Sequence, residues 1–353
     1  MVESNAMPVT IPASKLPKPP LGVLGSLRAG FSVVNSRLEL ALFPLALDLF
    51  LWLGPRLSIK PVIGTLMQAL DQFTAYSNDP QVAQQMSVMR AFFTDLGNQY
   101  NLFSVLSTAP LGVPSLMAGR MPEKVPAGMP LTVWPVTSAF FHLDLFILFS
   151  LMGLLLGAAY FNCIAQQIRA QRLDVRQLLQ QVWGDWVRLA VFAVLAALAL
   201  ALALAPVWLL GVVVAVFLPQ VGVLVLLASI SIAMWGVFYL GFTVPAIILQ
   251  RRGLFGGIWD SLRVAQWSLP GTVSLYTALF VITLLLTVIW NLVTPDSWVT
   301  LAALAGNSLV MTALVAAAFV FYQDRYRWWG EMRAALQAHL SRQNAAQSKP
   351  GTN

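Results

Sequence analysis

The sequence predicts an all-α, polytopic membrane bundle of six transmembrane helices, built as three hairpins that are each preceded by an interfacial amphipathic helix. Three observations carry this prediction. Of 353 residues, 58% are hydrophobic and only 10% are charged, with a mean hydropathy of +0.74. Soluble domains run near 25% charged, so a water-soluble globule of this composition could not cover itself. Charges are also absent over long runs. Leu189–Gln250 contains no Asp, Glu, Lys or Arg, and neither do Leu145–Ile168, Val264–Pro295 or Ser297–Gln323. A charge at the bilayer centre is costly, so such runs mark spans. Finally, stretches such as Leu195–Ala205 lack the apolar–polar alternation of a membrane β-strand.

The elements follow in chain order. Residues 1–37 form a leader rich in proline (Pro8, Pro12, Pro17, Pro19, Pro20) that ends in an amphipathic helix. Leu27, Phe31, Val34 and Leu38 share one face of it, at the i, i+4, i+7, i+11 spacing. The first span covers 38–55 and is interrupted by Asp48. It begins too far along the chain, and lacks the small-x-small cleavage site, to be a signal peptide.

Residues 56–138 are expected to form an extracytoplasmic helical cap. Ile63, Leu66, Met67, Leu70 and Phe73 suggest one helix. Asp79-Pro80 supplies an N-cap and a first-turn proline for another. Its stripe runs Val82, Met86, Met89, Phe93, Leu96, Tyr100, Phe103. The apolar, broken stretch Leu111–Met117 is expected to dip into the interface or plug a cavity, and the proline-rich Pro122–Pro135 to return extended. The cap closes the bundle, covers an apolar ligand, or docks another subunit.

A five-span bundle fills 139–321, with spans at about 139–165, 188–217, 222–249, 269–293 and 298–321. Leu218-Pro219-Gln220-Val221-Gly222 is the turn inside the longest charge-free run. Two further amphipathic segments precede spans: Val175, Leu179, Val182, Trp186, and Ile258, Leu262, Ala265, Leu269. Each is an anchor in the headgroup plane or an elbow that moves with a substrate. Residues 322–353 begin as an amphipathic helix whose Tyr322, Tyr326, Trp328 and Trp329, with Arg325, Arg327 and Arg333, read as an interface belt. A polar, disordered tail is expected from about residue 341.

Segments 1–39, 164–188, 251–268 and 323–353 hold 16 of the 21 Lys and Arg residues. With six spans they fall on one face, which the positive-inside rule makes cytoplasmic together with both termini. The formal net charge of +7 therefore reflects orientation and does not argue for nucleic acid. Membrane lipids, and a membrane protein partner or a second copy of the chain, are the expected partners.

Asp48, His142 and Asp144 are the candidate ligand- or ion-binding residues, because ionisable groups inside a membrane are functional by default. They would relay a proton or hold a cation. Alternatively the carboxylates are hydrogen-bonded within the bundle, or anchor the outer segment through Arg56 or Lys60. His142 and His339 are the two histidines and belong to opposite faces, and Cys163 is the single cysteine. No Walker A, HExxH or GxSxG motif occurs, so no cofactor, metal or catalytic residue is assigned. Gly153 and Gly157 form a GxxxG that permits close helix contact, and Pro206 and Pro245 are candidate kinks.

Trp183-Gly184-Asp185-Trp186 before the third span, and Trp259-Asp260-Ser261-Leu262-Arg263 before the fifth, carry a resemblance in layout. It is to bacterial six-span families of unassigned activity and to the membrane domain of some glycerophosphodiester phosphodiesterases. The resemblance implies a bacterial plasma membrane. The phosphodiesterase domain itself is missing, and no catalytic residue carries over. The expected function is that of a non-catalytic membrane protein that binds or helps move a lipid or other apolar ligand, or supports a membrane assembly. The alternatives are a secondary transporter coupled through Asp48 and Asp144, and a lipid-acting membrane enzyme.

Overall fold

The computed structural model describes residues 17–74, 80–120, 125–126 and 132–347. Asp79, most of the proline-rich return and the last six residues of the expected tail lie outside them. The structure is 82% helical, and five helical stretches are long and apolar enough to cross a membrane. They are α5 (Ala139–Ala170), α6 (Val175–Phe217), α7 (Pro219–Leu240) continued by α8 (Thr243–Gln250), α10 (Leu269–Asn291) and α11 (Val299–Gln347). Pro219 opens α7, so the turn at 218–222 is a one-residue joint in which proline occupies the first helical position.

The segment expected to be the first span differs. Residues 38–53 form a short 3-10 turn (Leu38–Ala41) and α2 (Leu42–Leu53), a helix of 12 residues. At 1.5 Å per residue α2 is about 18 Å long, against a hydrocarbon layer of ~30 Å. It does not stand alone. It follows α1 (Val23–Ser36), and α1 makes the most extensive helix–helix contact of the described elements, with α11. The Leu21 amide donates to Asp324 Oδ2 at 2.6 Å, while Trp52 Nε1 donates to the Pro295 carbonyl at 2.9 Å and its ring meets Trp298 edge-on. The chain from Leu21 to Trp52 thus accompanies α11 from Asp324 back to Trp298, about 39 Å of helix.

Gly30 is what lets α1 lie this close. A Cβ there would press on the Ala313 carbonyl and sit 2.6 Å from the Ala317 amide nitrogen. Backbone cannot yield as a side chain can, so Gly30→Val should cost about 1–3 kcal/mol by overpacking. A thermal melt of the purified protein unchanged from wild type would show that α1 does not pack here.

The three amphipathic segments take different forms. α1 and α9 (Leu254–Trp267) are separate helices. The middle one is the first part of α6, which runs unbroken from Val175 for 43 residues. Likewise the segment after the last span simply continues α11, to a total of 49 residues. The elbow acids are tied to arginines. Asp185 accepts from Asn162 Nδ2 at 3.1 Å and Arg188 at 3.0 Å, and Asp260 pairs with Arg252 at 3.4 Å.

Pro206 sits inside the continuous α6. The fourth expected span breaks at Gly241-Phe242, and Pro245 falls in the first turn of α8 beyond the break. Ser261 of α9 patches the gap: its hydroxyl donates to the Tyr239 carbonyl at 2.7 Å and accepts from the Phe242 amide at 3.1 Å. Backbone groups freed inside a bilayer need such partners.

Two short strands, β1 (Arg56–Ser58) and β2 (Val133–Pro135), pair in parallel and tie the start of the outer segment to its end. Asn101 joins them, its Oδ1 accepting from the Leu57 and Phe103 amides at 3.1 and 3.2 Å. Between lie α3 (Lys60–Thr74) and α4 (Pro80–Gln99), which pack on each other and share an Arg90–Asp71 ion pair. The part of the outer segment that enters the bundle is the loop after them.

Candidate functional site

Residues 101–120 fold into a compact plug. Leu102–Ser107 is a 3-10 turn opened by the Asn101 side chain, and the Ser107 hydroxyl donates to the Val113 carbonyl at 2.7 Å. Leu102, Leu106, Val113 and Met117 are buried with Leu47, Leu51, Trp52 and Phe149 in the main core. This is the plugging that Leu111–Met117 suggested. The GxxxG of α5 makes room for it. A Cβ on Gly153 would strike Thr108 Oγ1 and stand 2.6 Å from the Leu106 carbonyl. One on Gly157 would stand 2.7 Å from Gly112 Cα and 2.8 Å from the Leu111 carbonyl. The close contact expected of this motif is therefore made with a loop.

Asp48 holds the plug from below. Its side chain is fully buried on α2, and its Oδ1 accepts from the Ser115 hydroxyl and, at 2.9 Å, from the Met117 amide. Oδ2 has no hydrogen-bond partner among the described residues. Non-helical backbone at such depth is tolerated only where protein satisfies it, and a carboxylate spanning two donors does so.

The other two candidate residues stand apart. Asp144 is exposed on the first turns of α5, and His142 is half-buried beside it. Among the described residues no hydrogen bond or ion pair joins either to Asp48 or to the other. Asp48 thus bonds to the plug.

On the far side of the same loop is a cavity of about 250 Å³. The plug contributes Ser115, Leu116, Ala118 and Arg120; α10 contributes Thr283 and Thr287; α11 contributes Asn307 and Met311. Arg120 Nη2 donates to Asn291 Oδ1, at the end of α10, at 2.6 Å. Burial lowers the pKa of the Arg120 guanidinium, and the nearby Asp48 carboxylate raises it. The Thr287 hydroxyl donates to the Thr283 carbonyl at 2.9 Å. Asn307 is buried.

The donors the site offers a ligand are therefore the Arg120 guanidinium and the Asn307 amide, against an apolar wall of Leu116, Ala118 and Met311. The three hydroxyls already donate to Asp48, to Met311 Sδ and to the Thr283 carbonyl. That suits an acceptor-rich polar group attached to an apolar body. Among the described residues no group of His, Cys, Asp and Glu is arranged to hold a metal ion.

The sequence offered a faint signal for this site. Thr283 and Thr287, like Asn307 and Met311, are four residues apart and so share helix faces. Within charge-free runs, however, they read as ordinary span residues. Arg120 is one of five basic residues in the outer segment 56–138, and nothing in the sequence sets it apart from the others.

Comparison with family models, with curated proteins and with solved structures returned no match.

Proposed function

We propose that the protein is a non-catalytic membrane protein that binds, or helps to move, an amphiphile whose acceptor-rich head enters the cavity between the plug, α10 and α11. The observation that carries this reading is the Arg120 guanidinium at a cavity that is otherwise hydroxyl, amide and apolar. A volume of about 250 Å³ accommodates a head group, not a whole lipid, so the apolar chains would remain between α10 and α11. Most of the α10 surface faces outward, which gives a bilayer ligand access. The alternative is a secondary transporter coupled through Asp48 and Asp144, which no hydrogen bond or ion pair joins among the described residues.

The broken pair α1–α2 serves as a sixth pass beside α11. Both termini then return to the face rich in Lys and Arg, cytoplasmic in a plasma membrane. Support for a larger assembly, with a partner protein or a second copy, is a further role compatible with this layout.

The test is retention of lipid by the purified full-length protein, read by native mass spectrometry in mild detergent. A charge-assisted hydrogen bond contributes about 1.5–3 kcal/mol, so Arg120→Gln should weaken binding of an anionic lipid by about ten-fold or more. Asn307→Leu should weaken it less. An unchanged lipid profile in both variants would remove the cavity as the binding site.

A further inference from the structure

We propose that α9 and α11 form a second, separate site: a clamp for a phosphate group, with the Arg263 and Arg333 guanidinium groups as its two jaws. Trp267 of α9 and Trp329 of α11 stack face to face, with ring centroids 3.5 Å apart and planes 6° from parallel. Arg333 lies over Trp329 at 3.2 Å and reaches Trp267 at 5.6 Å. Arg263 lies over Trp259 at 5.0 Å and over Trp267 at 5.8 Å. Both cations therefore gather around one tryptophan pair.

A guanidinium held against an aromatic face keeps its planar fork of N–H donors directed outward along its edges. Neither Arg263 nor Arg333 makes a hydrogen bond or ion pair to a described residue. The neighbouring acid is already engaged: Asp260 pairs with Arg252 at 3.4 Å, and Arg252 also donates to the Tyr326 hydroxyl at 2.9 Å. Asp260 also acts electrostatically on Arg263 and Arg333, so three arginines share one carboxylate and the group keeps an excess of positive charge, and Trp267 beside them is 45% exposed. Phosphate oxygens match this fork geometry, through charge-assisted and often bidentate hydrogen bonds.

The position selects the carrier of the phosphate. Trp329 lies along α11 beyond Met311 by about 27 Å of helix, close to the thickness of the hydrocarbon layer. The clamp therefore sits one bilayer away from the cavity, in the zone where tryptophan marks the membrane–water boundary. A net-negative phospholipid head group reaches this zone, and so does a free phosphate from solution.

The experiment uses full-length protein in phosphatidylcholine nanodiscs. In one arm phosphatidylglycerol is titrated in and bound lipid is counted by native mass spectrometry. In the other, inorganic phosphate is titrated by calorimetry. Wild type should bind one of the two saturably, and the arm that saturates names the source. Arg263→Gln with Arg333→Gln should weaken that binding by about 100-fold, at roughly ten-fold per arginine. Arg263→Lys with Arg333→Lys keeps the charge and loses the fork, and should weaken it several-fold even if the glutamine pair unfolds. The titrations are run in an Arg120→Gln background, so that the cavity does not contribute. Arg327→Gln, which replaces an exposed arginine of α11 outside both sites, should leave the remaining binding unchanged. No saturable binding of either probe to wild type, or wild-type affinity in the folded variants, would overturn the proposal.

Discussion

Gly157→Val should unseat the plug and destabilise the protein by about 3 kcal/mol or more, at the upper end of overpacking costs. Even the Cβ of alanine would stand 2.7 Å from Gly112 Cα and 2.8 Å from the Leu111 carbonyl. Both obstacles are backbone, so relief requires the whole 106–112 turn to move off α5. That movement would also draw Val113 and Met117 out of the core they share with Leu51 and Trp52. Gly184→Ala provides the contrast, since a Cβ there meets nothing within 4 Å. Alanine is favoured over glycine in helices by about 1 kcal/mol, so this variant should match or exceed wild type. Thermal unfolding of both variants in one detergent decides the matter. Equal midpoints would show that the loop does not rest on Gly157.

Asp48→Ala should be nearly as damaging, for an electrostatic reason. It removes the acceptor shared by the Ser115 hydroxyl and the Met117 amide. A buried donor left unpaired costs about 1–3 kcal/mol. Asp48→Asn keeps an acceptor oxygen at the Oδ1 position and replaces only Oδ2, which has no partner among the described residues. It should therefore retain most of the stability. The diagnostic result is this ordering, with asparagine near wild type and alanine well below, measured by unfolding and by protease susceptibility of the 106–120 loop. Alanine equal to asparagine would mean that Asp48 does not hold the plug. Because Asp48 and Gly157 act on the same loop, their double variant should lose less than the sum of the two.

Much of the bundle was legible because bilayers exclude charge, and that exclusion is written locally. The charge-free runs locate α5, α6, α7–α8, α10 and the apolar part of α11, and Leu218-Pro219 marks the turn between α6 and α7. Helix continuity was harder. Val175–Trp186 is as amphipathic as a separate interfacial helix would be, but it has no proline, and Gly184 within it does not break the helix. The break at Gly241-Phe242 depends on Ser261, a residue 19 positions further on. No local pattern announces that.

The site was the least legible part, because its contacts join distant residues. Asp48 meets Met117, 69 positions away, and Arg120 meets Asn291, 171 positions away. Asp48 was singled out for a good reason, since a carboxylate in an apolar helix must have a partner. Its partners proved to be a hydroxyl and an amide of a loop, which hydropathy does not distinguish from any other outer segment. GxxxG was likewise readable as close packing, with nothing in α5 itself to name a loop as the neighbour.

The unbroken course of α11 has a mechanical consequence. Its 49 residues form a rod about 73 Å long, with no proline along it. Asn307 and Met311 line the cavity near one end, Gly30 of α1 bears on Ala313 and Ala317, about a third of the way along, and the Trp329–Arg333 stack lies beyond. The rod is a lever with α1 at its fulcrum. A tilt of about 5° around that contact would sweep the far end, about 48 Å away, through about 4 Å.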